Sequence, residues 1–555
     1  MKIQTTTENG ILVIHLKGRM DAEGTRAFQD AGSRWRNQPA VLDLSELEYI
    51  CSSAMREFLR MKRESNKTGK KLVLSGCSGL VDRIIEVSGF DNVFPRYHSV
   101  IEALRDMKAG PARAPVTETG SGTGNTRKKA VVIVDGLTSS GVYLAPLFHA
   151  KGIAAIHLMS RTRYPEGLLS RKVEKLNMEE LPYERTLRFD GDYDAVIRAV
   201  SDYDVVAVVP GTEMGVLCAD ALSEHMGLPS NGTSGSPARR NKYLMQCALQ
   251  KAGIPTKEFI CTSSEADLLA WFRSRKAREV VIKPISSTGT EGVRFCETEE
   301  ELLEAFHSVL GTTNPLGDTN VVVLAEERLI GTEYIVNTVS WDGKHRLAEL
   351  WELHKVRVEG AGTVYEFARL REWPDEKLMP AVRYTLRALD ALGIRYGPAH
   401  TEIMLTAKGP IFIESAARIM GGNMPLPFIE ECLGQSQVGL TVQAYTDPHR
   451  FLETVATRFR LRKHMIRKDL VADFDGIPCG EIPVIDRIAS LSSRVKGNFV
   501  NLLSEWKVHR TVDLFSSPAA IFLLHEDLEV VLSDYQTIRR LEITQGKKLY
   551  GIPAT

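Results

Sequence analysis

Apolar residues along this chain come in short runs separated by amphipathic stretches. Residues 11–17 (ILVIHLK), 40–44 (AVLDL) and 71–75 (KLVLS) read as strands. Residues 21–36, 53–65 and 81–88 between them read as helices, so the N-terminal part is expected to be a small α/β layer. Residues 108–129 hold Gly, Pro, Ser and Thr and almost no large apolar side chain, the composition of a flexible linker. Beyond it, 129–135 (KAVVIVD), 154–158 and 205–209 (VVAVV) predict parallel strands, with helices from about 142 and over 193–201. The turn GLTSSG after the first of these lacks GxGxxG spacing, which argues against a dinucleotide site. Lys242 opens an amphipathic helix that ends at Gly253, and strands are expected at 280–284 (VVIKP) and 321–326 (VVVLAE). The last hundred residues, with a strand at 519–525 and a helix at 532–541, suggest a β-rich lobe.

The densest chemistry lies in 397–423, GPAHTEIMLTAKGPIFIESAARIMGGN. Residues 400–405 and 410–414 read as an antiparallel hairpin that can bring Glu402 and Glu414 to one end of a sheet. Paired carboxylates suit a hard cation shared with phosphates, and Arg418 beside them suits a developing oxyanion. Glu414 sits inside the apolar run IFIESAA, where an unpaired carboxylate is costly. Lys283 ends a strand next to SSTGTEG (286–292), a loop whose small residues let backbone N–H groups approach phosphate; the Walker pattern is absent.

With 555 residues the chain is too long for one core and is expected to form three to five lobes. A formal charge of zero argues against a nucleic-acid partner driven by net charge, and no apolar run has the length of a membrane span. The N-terminus has no apolar signal region. The eight cysteines form no CxxC pair, so neither structural zinc nor a disulfide framework is expected, and a cytoplasmic protein is the simplest reading.

Taken together, Lys242, Lys283 with its loop, Glu326–Glu327 with Glu333, and Glu402/Glu414 followed by Arg418 resemble the ATP-grasp superfamily over about residues 130–450. GPAHTEIML and IESAARIMGGN are most similar to the carboxylate–amine ligases that join free L-amino acids. The resemblance implies an ATP-dependent enzyme that forms an amide through an acyl phosphate, with ATP and Mg²⁺ (or Mn²⁺ in its place) and small amino-acid or carboxylate substrates. It implies that Lys242 and Lys283 contact the phosphates, and that Ser286, Ser287, Thr288, Gly289 and Gly292 close over them. Glu326, Glu327 and Leu329 would form the adenine-reading hinge and Glu333 would bind the ribose. Glu402 and Glu414 would hold the metal, and Arg418 would stabilise the reacting centre. Glu213, His354, Gly422 and Asn423 are candidates for the substrate side, with Gly421–Gly422 leaving a larger or differently shaped acid pocket. Residues 286–292 and 356–365 are expected to be lids, and the basic run RLRKHMIRK (460–468) is read as a solvated face.

The segment DLSELEYICSSAMREFL (43–59) resembles the STAS domain of anti-sigma-factor antagonists, over about residues 1–107. Ser52 matches the serine that a partner kinase phosphorylates there, although Cys51 and Ala54 replace the family's Asp and Gly. Ser52 is therefore read two ways, as a phosphosite or as an ordinary helix cap. The expected fold is an α/β and α+β multidomain chain: a STAS-like domain (1–107), a linker (108–129), an N-terminal α/β domain (130–235), ATP-grasp central and catalytic lobes (236–450) and a C-terminal α+β lobe (451–555). A protein partner or self-association through the first domain, and a homo-oligomer, are expected. The alternatives are a carboxylase or purine-type ligase of the same fold, and a nucleotide-sensing regulator.

Overall fold

The computed structural model describes residues 1–553 except 33–34, 36–37, 110–126, 162–180, 276–278, 287–291, 315–316 and 359–361. The linker expected at 108–129 and the loop 286–292 therefore fall largely outside the described residues. No helix among the described residues is long and apolar enough to cross a membrane.

The N-terminal domain is a five-stranded sheet in sequential order: β1 (Lys2–Glu8), β2 (Ile11–Met20), β3 (Ala40–Ile50), β4 (Leu72–Ser75) and β5 (Arg96–Tyr97). β1 pairs antiparallel with β2 and the rest are parallel. Helices α1 (Ala22–Ala31), α2 (Ser52–Lys67), α3 (Gly79–Ser88) and α4 (Val100–Ala109) complete the layer. β1 has no apolar alternation, so only its pairing with β2 makes it a strand.

The next domain is a parallel sheet in the order β8 (Tyr183–Arg188), β7 (Ala154–Met159), β6 (Lys128–Val134), β9 (Tyr203–Pro210). The chain leaves β6 to one side and returns to β9 on the other, so the loops after these two strands flank a crevice of the kind that binds ligands. They pack so closely that a Cβ on Gly141 or Gly211 would strike the facing backbone. α5 (Lys242–Lys251) follows, its first N–H groups capped by Asn241 Oδ1 at 3.0 and 3.1 Å.

A small antiparallel sheet in the order β10 (Phe259–Thr262), β13 (Val323–Glu327), β11 (Val280–Pro284) and β12 (Arg294–Cys296) shares a cavity wall with a larger one. The larger sheet has eight antiparallel strands, in the order β18 (Gly409–Ala416), β17 (Gly397–Thr406), β14 (Gly331–Trp341), β15 (Lys344–Val358), β16 (Gly362–Leu370), β19 (His464–Asp469), β21 (Ala520–His525), β20 (Arg494–Asn498). Of residues 356–365, expected to be a lid, 359–361 lie outside the described residues and the others are paired strand: Val356 faces Val364 and Lys355 faces Tyr365. The basic run at 460–468 is a solvated face only in its first half, where Arg460 and Arg462 are exposed. Its second half is β19, buried between β16 and β21, because Met465 and Ile466 supply core contacts.

The C-terminal strands share one hydrophobic core with the N-terminal domain. Ile466, Leu470, Ile485, Phe499 and Leu523 belong to the same cluster as Leu42, Phe58, Ile84 and Phe90. Two short helices mediate the contact, α6 (Pro483–Ala489) against α3 and α7 (Val500–Glu505) against α2.

Candidate active site

The two sheets, the loops after β6 and β9 and the C-terminal strands enclose a cavity of about 600 Å³. At one end, Lys283 on β11 and Lys257 just before β10 both donate to Glu326 Oε2 on β13, at 2.6 and 2.9 Å. All three side chains are at most 7 % exposed. The other oxygen, Oε1, is buried and accepts no hydrogen bond among the described residues. Burial lowers the Lys257 ammonium most, and Glu326 only partly offsets that, so it sits at about 8. Burial also opposes charge on Lys283, but Glu326 and Glu414 outweigh it and hold Lys283 above its ordinary value. Glu327 and Leu329 line the same end.

The hairpin of β17 and β18 forms the floor. Glu402 and Glu414 are direct cross-strand partners, and a bulge beside them adds Ile413, so that Ile413 and Glu414 both reach the cavity. Lys242, in the first turn of α5, stands against the helix dipole, and Glu414 Oε2 at 3.1 Å offsets it. Glu402 lies 3.4 Å from His400 Nε2, whose Nδ1 is 2.9 Å from Asn337 Oδ1. Burial works against the Glu402 carboxylate, yet His400 and Lys355 bring it down to about 2. Glu333 on β14 behaves oppositely. Burial and the charge of Glu402 push it up, although Lys355 Nζ donates to both of its oxygens at 2.7 and 2.9 Å.

Two facing carboxylates, with no group of three or more His, Cys, Asp or Glu side chains among the described residues placed to hold a metal ion, do not make an all-protein metal cage. They do fit a hard cation that completes its shell with phosphate oxygens and water. The orphaned Glu326 oxygen likewise fits an added N–H donor.

At the other end, Glu213 follows β9 and is clamped by two guanidiniums, Arg240 Nη1 at 2.8 Å and Arg418 Nε at 2.9 Å. Burial disfavours its charge, but Arg418 and Arg240 prevail and hold the carboxyl at about 2. Glu213 thus orients Arg418 instead of standing open to an ammonium group. Arg418 Nη1 donates to the Ile419 carbonyl at 2.9 Å.

Among the other expected residues, Gly422 lines the cavity, but the space its missing Cβ leaves is taken by Arg467. Gly422 therefore admits a side chain from β19 and does not simply enlarge the pocket. Asn423 holds a left-handed turn at φ 51° and does not line the cavity. Ser286 sits at the margin, its Oγ accepting from Arg240 Nη2 at 3.2 Å, and Gly292 closes the loop at φ +68°. Ser287, Thr288 and Gly289 lie outside the described residues. His354 does not reach the cavity: strand alternation turns it away with Glu352, 3.1 Å off, and presents Leu353 and Lys355 instead. Lys257, Lys355, Arg240, Arg467 and Asp469 were not found in the sequence. Lys355, Arg467 and Asp469 each carry a charge next to an apolar residue, which was the available signal, whereas Lys257 and Arg240 have polar neighbours on both sides and gave none.

Ser52 does not line the cavity and is buried. Its Oγ donates to Glu481 Oε2 at 3.1 Å and accepts from the Ile482 N–H at 2.9 Å. Here it docks the N-terminal domain on the C-terminal lobe, and a phosphate added in this arrangement would meet the Glu481 carboxylate.

Comparison with known proteins gives two family matches, residues 3–101 to the family described as Mlab, STAS domain, and residues 277–425 to the ATP-grasp domain. The chain is similar to dapdiamide A synthase of Enterobacter agglomerans, 31 % identical over 418 residues, covering 75 % of this chain and 96 % of that one. Among solved structures, the L-amino acid ligase from Bacillus licheniformis shares the fold with a TM-score of 0.55 at 19 % identity, over 75 % of this chain and 98 % of that one. An ADP complex of N5-carboxyaminoimidazole ribonucleotide synthetase shares it with a TM-score of 0.53 at 14 % identity, over 76 % and 98 %.

Proposed function

The chain belongs to the ATP-grasp ligases, the family of dapdiamide A synthase, and forms an amide bond at the expense of ATP; we propose that its cavity activates an amino acid or small carboxylic acid as an acyl phosphate and passes it to an amine. The observation that carries this reading is the direct pairing of Glu402 with Glu414 in a cavity that also holds the ammonium groups of Lys242 and Lys283. That set suits a triphosphate and a cation together.

A free carboxylate does not acylate an amine, because oxide is a poor leaving group. In the proposed sequence a carboxylate oxygen bonds to the γ-phosphorus, the bond to the ADP oxygen breaks, and an acyl phosphate results. The amine nitrogen then bonds to the acyl carbon, inorganic phosphate departs with the bonding pair, and it takes the proton the nitrogen loses. Lys283 and Lys242 would hold the phosphates. The unpaired Glu326 oxygen and the 326–329 segment would receive the adenine edge, and Glu333 the ribose hydroxyls. Arg418, fixed by Glu213, would face the oxygen that becomes negative as the amine adds. Glu402 and Glu414 would hold Mg²⁺, or Mn²⁺ with the same oxygen preference, which when bound neutralises phosphate charge.

The test is phosphate release by the full chain over all pairs of amino acids and small carboxylic acids, with products identified by mass spectrometry. A specific pair should give ADP, phosphate and one amide. Glu414→Gln and Lys283→Ala should abolish ADP formation while the fold is retained. Near-normal turnover in either variant removes this site, and dependence on bicarbonate would favour a carboxylase.

A further inference from the structure

The short helix α7 faces two ways. Val500, Leu502 and Leu503 are buried in the core cluster that contains Met55, Phe58 and Leu59 of α2. Asn501 and Glu505, four residues apart and so on one face, line the cavity. One turn and a half of helix therefore separates the N-terminal domain from the wall of the ligase site.

Both ends of α7 are tied to that domain. At its start, the Phe499 N–H donates to the carbonyl of Ser88, the last residue of α3, at 3.0 Å. At its end, Trp506 stops the helix in the left-handed region, at φ 56° and ψ 43°. A bulky residue keeps that conformation only where its surroundings fix it. Two contacts fix it here. The Arg56 guanidinium, from α2, lies 4.8 Å over the indole ring, and the indole Nε1 donates to the Pro478 carbonyl at 2.9 Å. Glu505 is the residue before this corner, with its carboxylate 44 % exposed and His509 Nε2 at 3.5 Å. A contact made for stability alone calls for the buried face of α7. It does not call for an exposed arginine stacked on a left-handed tryptophan beside a cavity residue.

We propose that Arg56 and Trp506 are positioning residues for the ligase reaction: through α7 the N-terminal domain sets Asn501 and Glu505 against the substrate that is not the nucleotide. The domain is then a working part of the site wall as well as a docked neighbour. This rests on the ligase reading above and deepens it.

The experiment uses the full chain with ATP and Mg²⁺. Phosphate release is measured for the proteinogenic L-amino acids supplied singly and in pairs, and KM is taken for the pair that turns over fastest. Arg56→Ala should raise the KM for an amino acid by ~2–5-fold, the scale of a cation–π contact at an exposed site, with kcat and the KM for ATP unchanged. Arg56→Lys, which keeps a cation over the ring, should restore most of it. Trp506→Gly tolerates the left-handed turn and removes the indole, so it should raise the same KM at least as far. Adding Arg56→Ala to Trp506→Gly should change nothing more, because the arginine acts through the ring. Glu505→Gln should also raise this KM and leave that for ATP alone. A wild-type KM in Arg56→Ala overturns the proposal, even if the melting temperature falls. So does a loss that falls equally on ATP, or losses at 56 and 506 that simply add. A second measurement needs no turnover: hydrogen exchange over residues 499–506 with ADP, Mg²⁺ and each amino acid. At least one amino acid should slow exchange in the wild type at a concentration that leaves Trp506→Gly unaffected. Equal slowing in both proteins, or none in the wild type, overturns the proposal. Slowing that depends on Trp506 without any phosphate release would count against the ligase reading and leave the positioning role standing.

Discussion

Replacing Glu326 with Gln removes the carboxylate that two buried lysines share. Lys283 lies at 2.6 Å and Lys257 at 2.9 Å from one oxygen. Without it, two ammonium groups face each other in a poorly solvated wall. Breaking a buried pair costs about 3–5 kcal/mol. Part of that cost is avoidable here, because burial has already brought Lys257 to about 8. In the variant Lys257 gives up its proton near neutrality, and each further unit costs about 1.4 kcal/mol. The expected loss at pH 7 is about 2–4 kcal/mol. The sign of the pH dependence follows from proton counting. A lysine neutral in the fold and charged in the unfolded chain gives the unfolded state the extra proton, so stability rises with pH across that interval. In the wild type the interval runs from about 8 to the ordinary 10.5. In the variant its lower edge moves down, so the penalty should be larger at pH 7 than at pH 9. Calorimetric melting of both proteins at the two pH values measures this. An unchanged melting temperature, or a penalty that does not shrink at pH 9, refutes the claim that this carboxylate holds two charges.

Arg418→Ala should lower the rate of amide formation by ~100-fold or more, the scale of losing an oxyanion donor, with the KM for ATP unchanged. Glu213 keeps Arg240 as a partner in that variant, so the fold should survive, and normal kinetics would take Arg418 out of the role. The Glu213 carboxyl, at about 2 against an ordinary 4.5, contributes about 3 kcal/mol that is complete above 4.5 and lost as pH falls through about 2. Urea unfolding should therefore show the gap between wild type and Glu213→Gln closing on acidification, and a pH-independent gap contradicts it. Gly497→Ala places a methyl group against the Val87 carbonyl across the two ends of the chain. It should cost about 1–3 kcal/mol and speed hydrogen exchange over residues 481–506. Exchange at the wild-type rate would mean that the contact carries no stability.

The hairpin was legible because its signal is local. Apolar alternation, a turn and two acids at a fixed offset determine which carboxylates face each other, and Glu402 does pair with Glu414. Lys283 was legible for the same reason. Lys257, Lys355 and Arg467 were not, since each is set in the cavity wall by a partner distant in sequence: Glu326, Glu333 and the backbone at Gly422. His354 and Lys355 show the limit most clearly. They are adjacent in one strand, a bulge lies between them, and a one-residue difference decides which reaches the cavity. The second half of the run 460–468 misled because its composition is basic, whereas its burial is set by β16 and β21 on either side. β1 was not read from the sequence at all, being a strand without the pattern of one.

The bond from Ser52 to Glu481 joins residues 429 positions apart. At ~5–20 residues per second, the ribosome needs roughly 20–90 s to deliver the second after the first. During that time the N-terminal domain is complete in its own sheet, but the face that receives Phe499, Ile485 and Leu523 is bare. Arg83, Glu86 and Asp91 border that face and later bond to Leu491, Arg494 and Lys496. Before those partners exist, the same charges serve as a hydrophilic fringe that discourages association between nascent chains. Release of a chain that stops short of its last strands would leave that face permanently uncovered, so premature termination should yield aggregates and not a soluble ligase without its tail.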